Sequence, residues 1–208
     1  MSKTQIPTNG IADDAVGNTK LDLTANYAFT GTITGTPQGL VKVGDIKSTS
    51  SSTNHDITSC FSDTYDTYFF DLKTTPENGS YQTCFQWLNG STAISSGYYG
   101  GAIGFTDSNA TINFRASSND KGILGNDGST TRRGVWQGYF SGAKSTEANY
   151  KRCNFVGGYF TSSNVFYQIS GSMWNTSTTS CDGIRFLSNG TPIDYISCQI
   201  YGVLDTRS

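Results

Sequence analysis

Charge is scarce in this chain. Lysine, arginine, aspartate and glutamate make up only 14% of the 208 residues and the net charge is −2, so the chain lacks the basic field on which sequence-independent nucleic-acid binding depends. Nucleic acid is therefore not an expected partner. Long apolar runs are missing as well: no stretch approaches a membrane span, and the opening Met1-Ser2-Lys3-Thr4-Gln5 continues into polar residues without the apolar core of a secretory signal. The expectation is a protein made in a cytoplasm and kept soluble. Heptads, Gly-X-Y triplets and other shaft-like repeats are absent, and no eleven-residue window carries a helical apolar stripe.

Metal- and redox-type residues are equally sparse. There is one histidine, His55, and the five cysteines (Cys60, Cys84, Cys153, Cys181 and Cys198) are far apart with no CxxC pair. Structural zinc requires closer ligand spacing, so no metal and no cofactor is expected. Each cysteine lies in or beside a strand-like run, where a free thiol packs as a small hydrophobe. Sequons occur at Asn78, Asn89, Asn109, Asn175 and Asn189, but a chain this rich in Asn, Ser and Thr makes them by chance.

What the chain does contain falls into two parts. Residues 1–36, rich in Gly, Thr, Asn and Ala, consist of pieces too short and too polar to hold a core, such as Pro7-Thr8-Asn9-Gly10 and Leu21-Asp22-Leu23. This segment reads as an attachment arm that orders only against something else, with a fully extended reach of about 120 Å. Residues 37–208 form the head. Short aromatic and β-branched runs separated by Gly, Ser, Asn and Asp argue for a single all-β domain, a jelly-roll-like two-sheet β-sandwich preceded by the extended N-terminal arm.

Candidate strands are Leu40–Val43, Tyr65–Leu72, Tyr81–Leu88, Tyr98–Phe105, Thr111–Phe114, Gly134–Phe140, Arg152–Phe160, Val165–Trp174, Gly183–Leu187 and Ile196–Val203. Pro76-Glu77-Asn78-Gly79 is a turn signal that predicts a hairpin between the second and third of them. In the latter, Tyr81, Thr83, Phe85 and Trp87 share one face and Gln82, Cys84, Gln86 and Leu88 the other. The last two strands are also expected to pair. A two-residue turn at Asn189-Gly190 would set Cys181 opposite Cys198, whereas a longer loop starting the second strand near Ile196 shifts that register and is preferred, leaving the thiols free in a reducing compartment.

Catalytic chemistry finds little support. Acid–base hydrolysis of a glycan needs two flanking carboxylates, and the densest acidic run holds Asp63, Asp66 and Asp71 along one strand, Asp66 facing opposite to the other two. Loop-capping or solvent-facing carboxylates account for them. His55 sits in the polar tract Ser48–His55, which reads as a loop, so it is expected to be a solvent-exposed histidine with no oriented nucleophile. Gly97-Tyr98-Tyr99-Gly100-Gly101 and Gly122-Ile123-Leu124-Gly125 lack the lysine and following helix of a phosphate loop and read as turns or strand ends. Four aromatics, Tyr98, Tyr99, Trp136 and Tyr159, lie near glycines or arginines where they could stack on sugar rings. A chain with twelve Tyr and twelve Phe must bury most of them, so each candidate competes with a core role.

Three stretches carry a family resemblance. The opening stretch IADDAVGNTKLDLTANYAFTGTITG resembles the N-termini of virion proteins of tailed bacteriophages, notably of the marine and cyanophage type. The segment Cys181-Asp182-Gly183-Ile184-Arg185-Phe186-Leu187 followed by Gln199-Ile200-Tyr201-Gly202-Val203 is similar to the paired last strands of their β-rich modules, and Tyr65–Tyr68 through Leu88–Ser91 to their first hairpin. The resemblance implies a non-enzymatic virion protein, a tail fibre or receptor-binding protein, usually homotrimeric. It would dock to other virion proteins through its arm and bind a host-surface glycan or protein. Because the chain carries no shaft, a capsid decoration (cement or head-fibre) role stands beside that reading.

Overall fold

The computed structural model describes residues 39–76, 81–106, 111–127, 134–160 and 165–204; the expected arm and the turn residues Glu77–Gly79 lie outside them. The described residues form an all-β fold of two antiparallel sheets, one curled into a half-barrel. In chain order the strands are β1 (Leu40–Ser48), β2 (Asn54–Ile57), β3 (Thr67–Pro76), β4 (Tyr81–Asn89), β5 (Thr92–Ala93), β6 (Tyr98–Thr106) and β7 (Thr111–Asn119). They continue as β8 (Gly122–Asp127), β9 (Gly134–Ser141), β10 (Lys151–Phe160), β11 (Phe166–Asn175), β12 (Gly183–Ser188) and β13 (Ile193–Val203). The larger sheet has eight strands in the order β1-β13-β3-β9-β10-β11-β6-β7; the smaller has β2-β12-β4-β5, with β8 also paired to β4.

All ten expected strands are present, most of them longer than their apolar runs suggested. Three strands were not expected. β2 occupies the end of the polar tract read as a loop, β5 is two residues long, and β8 contains the glycine-flanked Ile123-Leu124 read as a turn. Polar residues in β2 and glycines in β8 hide the strand signal, and pairing to β12 and β4 supplies it instead.

Both expected hairpins are corrected by the register. β3 pairs with β13 and β9 in the larger sheet, whereas β4 pairs with β12, β5 and β8 in the smaller one, so the chain crosses between sheets after Pro76. β12 and β13 likewise belong to different sheets: Cys198 lies opposite Leu72 and Ile46, and all five cysteines are free and buried. A turn-forming sequence specifies a reversal of direction, but the chain closes a hairpin only if the next strand's apolar face belongs on the same sheet.

Two aromatic clusters fill the space between the sheets. Phe140 of β9 stacks on Phe70 of β3 with centroids 4.5 Å apart and meets Phe85 and Trp87 of β4 edge-on at 5.5 and 5.3 Å. Under β8, the indole of Trp136 is accommodated by glycines: a Cβ on Gly157 would sit 2.1 Å from Trp136 Cε3, and one on Gly125 2.2 Å from Cη2. Such contacts forbid any larger residue without moving the ring. At the crossover between the sheets, the hydroxyls of Thr74 and Thr83 are 3.2 Å apart, which pairs two buried polar groups.

Candidate functional site

The outward face of the eight-stranded sheet arises from strict alternation. In β9, Val135, Gln137 and Tyr139 are exposed between the buried Gly134, Trp136, Gly138 and Phe140; in β10, Arg152, Asn154 and Val156 are exposed between Lys151, Cys153 and Phe155. β11 continues the pattern with Phe166, Gln168, Ser170, Ser172 and Trp174 outward. A period of two sends alternate side chains to opposite faces, so packing Trp136, Phe140 and Phe155 inward forces their neighbours out. The registers of β3 with β9, β9 with β10, β10 with β11 and β11 with β6 run without a bulge, which makes these strands a continuous floor.

Along β10 the floor bears three depressions in a row. One, of about 530 Å³, lies between Val135, Val156, Gly158, Phe160, Phe166 and Gln168. The next, also about 530 Å³, shares Gln137 and Val156 with it and extends to Phe69, Tyr139, Asn154 and Ser170. The third, about 390 Å³, shares Asn154 and ends at Asn149, Arg152, Ser172 and Trp174. Small residues shape this floor: Gly158 faces outward, and a Cβ there would come 2.6 Å from Phe166 Cζ, so the phenyl ring lies directly over it.

Aromatic side chains flank the depressions. Phe69 contacts Tyr139 at 5.5 Å and Tyr201 at 6.3 Å, Phe160 packs against Phe166 at 5.0 Å, and Tyr99 stacks on Trp174 at 6.0 Å with planes 18° apart. Tyr139 is 48% and Val156 45% exposed, values that matter because buried side chains could not touch a ligand. Gln137 Nε2 donates to Asp71 Oδ1 at 3.2 Å, which fixes the amide at the junction of the two larger depressions.

Of the four aromatics singled out from the sequence, the structure places only Tyr99 at this surface. Tyr98 is a core residue: the Trp87 backbone N–H donates to its Oη at 2.8 Å, Oη donates to the Ile94 carbonyl at 3.0 Å, and burial pushes the phenol above its usual range. Trp136 is fully buried, and Tyr159 is buried with its ring stacked 5.0 Å from Tyr167. These three turn inward because they share strand parity with the core positions. The residues that line the depressions, Gln137, Asn154, Val156 and Phe166 among them, were not singled out. Their signal was the opposite parity in β9 and β10, which has meaning only once the facing sheet is known.

The acid–base candidates do not converge. Asp63 and Asp66 precede β3 in a loop, where strand parity does not apply, and the Asp66 carbonyl accepts from Gly142 N at 3.1 Å. Asp71 is on the open face, beside Lys73 at 3.7 Å. His55, expected at the solvent, is instead buried on β2 of the other sheet, its Nε2 3.3 Å from the Ile193 carbonyl. It turns inward because β2 alternates and brings His55 and Ile57 to the same face. Among the described residues no group of three His, Cys, Asp or Glu side chains is placed to hold a metal. Burial holds the thiols protonated: Cys60 and Cys84 are pushed up to about 12 and Cys181 to about 11.

Comparisons with known proteins add no assignment: no family model, no curated protein and no solved structure matches this chain.

Proposed function

We propose that the chain is a non-catalytic recognition protein of a tailed-phage particle, a short tail fibre that docks through residues 1–36 and presents the β-sandwich to the host surface. The observation that carries the recognition reading is the open face of the eight-stranded sheet, where exposed aromatic and amide side chains border three contiguous depressions. Concave sites with convergent polar groups on a rigid frame are the ordinary form of a binding site. The phage assignment rests on the sequence resemblance at the two ends of the chain. A jelly-roll-like topology is part of the same reading and is supported by how often consecutive strands alternate between sheets, as β1 to β4 and β11 to β13 do. Homotrimeric assembly follows the resemblance.

Capsid decoration remains the second reading, favoured by the exposed Ile103 and Phe105 on β6, which lie opposite Ser170 and Gln168 at the border of the depressions and which a neighbouring shell subunit could cover. Labelling the protein on intact particles separates the two: tail-tip label together with adsorption of the purified chain to host cells is the expected result. Label distributed over the shell, or no cell adsorption, overturns the tail-fibre reading.

A further inference from the structure

We propose that the channel along β10 on the open sheet face binds a neutral, linear oligosaccharide of pyranose rings. The inference deepens the recognition reading and rests on it for biological sense, while its chemistry is argued from the face itself.

The shape comes first. The three depressions follow one strand, share Gln137, Val156 and Asn154 between neighbours, and run from the Phe160–Phe166 pair at one end to Trp174 at the other. From Arg152 to Phe160 a strand rises about 26 Å at the usual 3.3 Å per residue, a length that suits several rings joined end to end. A compact metabolite would fill one depression and leave the others unused.

The lining then selects the ligand class. Among the described residues neither larger depression is lined by a charged side chain; the polar groups are amides and hydroxyls, from Gln137, Asn154, Gln168, Ser170 and Tyr139. Amides and hydroxyls both donate and accept, which matches ligand hydroxyls that do the same. An anionic ligand would lose hydration there without a counter-charge in return. The apolar remainder, Val135, Val156, Phe69 and Phe166, offers flat and low-lying carbon surface to the C–H faces of sugar rings, and Trp174, held flat by Tyr99, offers a platform at the far end. Among the described residues the one lining cation is Arg152, in the third depression, where its guanidinium donors can reach a hydroxyl. A second copy of the chain fits less well, because seating this face on itself would bury three amide side chains that each require partners.

The floor is rigid enough for the task. β9, β10, β11 and β6 keep unbroken register, and their inward residues are locked in the core. Little ordering is therefore needed on binding, which preserves affinity for a ligand whose individual contacts are weak.

The test uses the purified full chain in a glycan-array screen followed by titration with neutral tri- to pentasaccharides and with sialylated and sulfated counterparts. Neutral oligosaccharides should bind, tighten with length up to the span of the channel, and be indifferent to salt from about 0.05 to 0.5 M. Val156→Arg and Tyr139→Ala, both at exposed positions, should weaken binding about tenfold or more, a loss of about 1.4 kcal/mol. Leu40→Arg, exposed on edge strand β1, should leave it unchanged. Preference for anionic glycans, binding abolished by salt, or full binding by Val156→Arg would overturn the inference. So would self-association that Val156→Arg dissolves and no sugar competes with. Host-cell adsorption without neutral-glycan binding sinks the inference and leaves the recognition reading standing. Neutral-glycan binding without adsorption does the reverse.

Discussion

The two sheets share one core and one kind of secondary structure, yet their outward sides differ. On the smaller sheet the outward residues of β4 are closed off: Cys84 and Leu88 are fully buried and Gln86 nearly so, its Nε2 donating to the Asp120 carbonyl at 2.9 Å. On the larger sheet the outward residues of β9, β10 and β11 stand free, with Val135, Tyr139, Val156 and Phe166 all more than a third exposed. A strand covered on both sides is spent on stability. One covered on a single side keeps its other row available for a partner, and the larger sheet retains that row over several adjacent strands without a bulge. The contrast locates the site where burial does not.

Alkaline titration gives the largest effect expected from this picture. Burial pushes the Cys60 and Cys84 thiols up to about 12 from their ordinary 9.0, so the unfolded chain sheds protons first as the pH rises. Their contribution is fully present below pH 9 and is lost as pH climbs toward the folded value, at about 1.4 kcal/mol per pH unit for each thiol. Urea titrations should therefore show stability flat to about pH 8 and falling steeply between 9 and 11. At pH 8 a thiol reagent should count none of the five cysteines in the native protein and all five after denaturation. Rapid native labelling of Cys84 would mean that the smaller sheet is open on its outer side too, and the comparison would fail.

Next in size is a pair of substitutions on adjacent residues of β9. Phe140→Ala removes the ring at the junction of both sheets and should cost about 3–5 kcal/mol, whereas Tyr139→Ala on the open side should change stability by no more than about 0.5 kcal/mol. Chemical denaturation of the two variants under one set of conditions decides this; equal costs would place Tyr139 in an interface.

A smaller effect is expected from the ion pair on the smaller sheet. Arg185 Nε and Nη2 donate to the two carboxylate oxygens of Asp56 at 2.7 and 2.8 Å, joining β12 to β2, and this bond raises the Arg185 pKa. Arg185→Ala should cost about 1 kcal/mol, reduced by salt, since the pair is only partly buried. Smallest of all is the optical difference among the tryptophans. Trp87 and Trp136 are buried and Trp174 is 39% exposed, so Trp174→Phe should remove the fraction of emission quenched by iodide with little change in stability. Quenching that survives the substitution would mean that one of the core indoles is reachable.

Much of this fold was legible from residue order. β9 and β10 alternate so regularly that their existence needed no partner, and the buried state of all five thiols followed from their places in or beside strand-like runs. Which runs become neighbours was not legible: β3 and β4 are joined by turn-forming residues and lie in different sheets, because a turn sets only local direction while sheet membership is decided by which apolar face each strand must cover. The same limit explains the binding candidates. Tyr98, Trp136 and Tyr159 carry the right chemistry but the inward parity, and Gln137, Asn154 and Val156 the outward one. The sequence by itself determined an all-β chain with period-two strands, because alternation is a property of the backbone. Only the tertiary structure decided which half of each alternating strand meets the facing sheet and which is left for solvent or a ligand, since that choice depends on contacts between residues far apart in the chain.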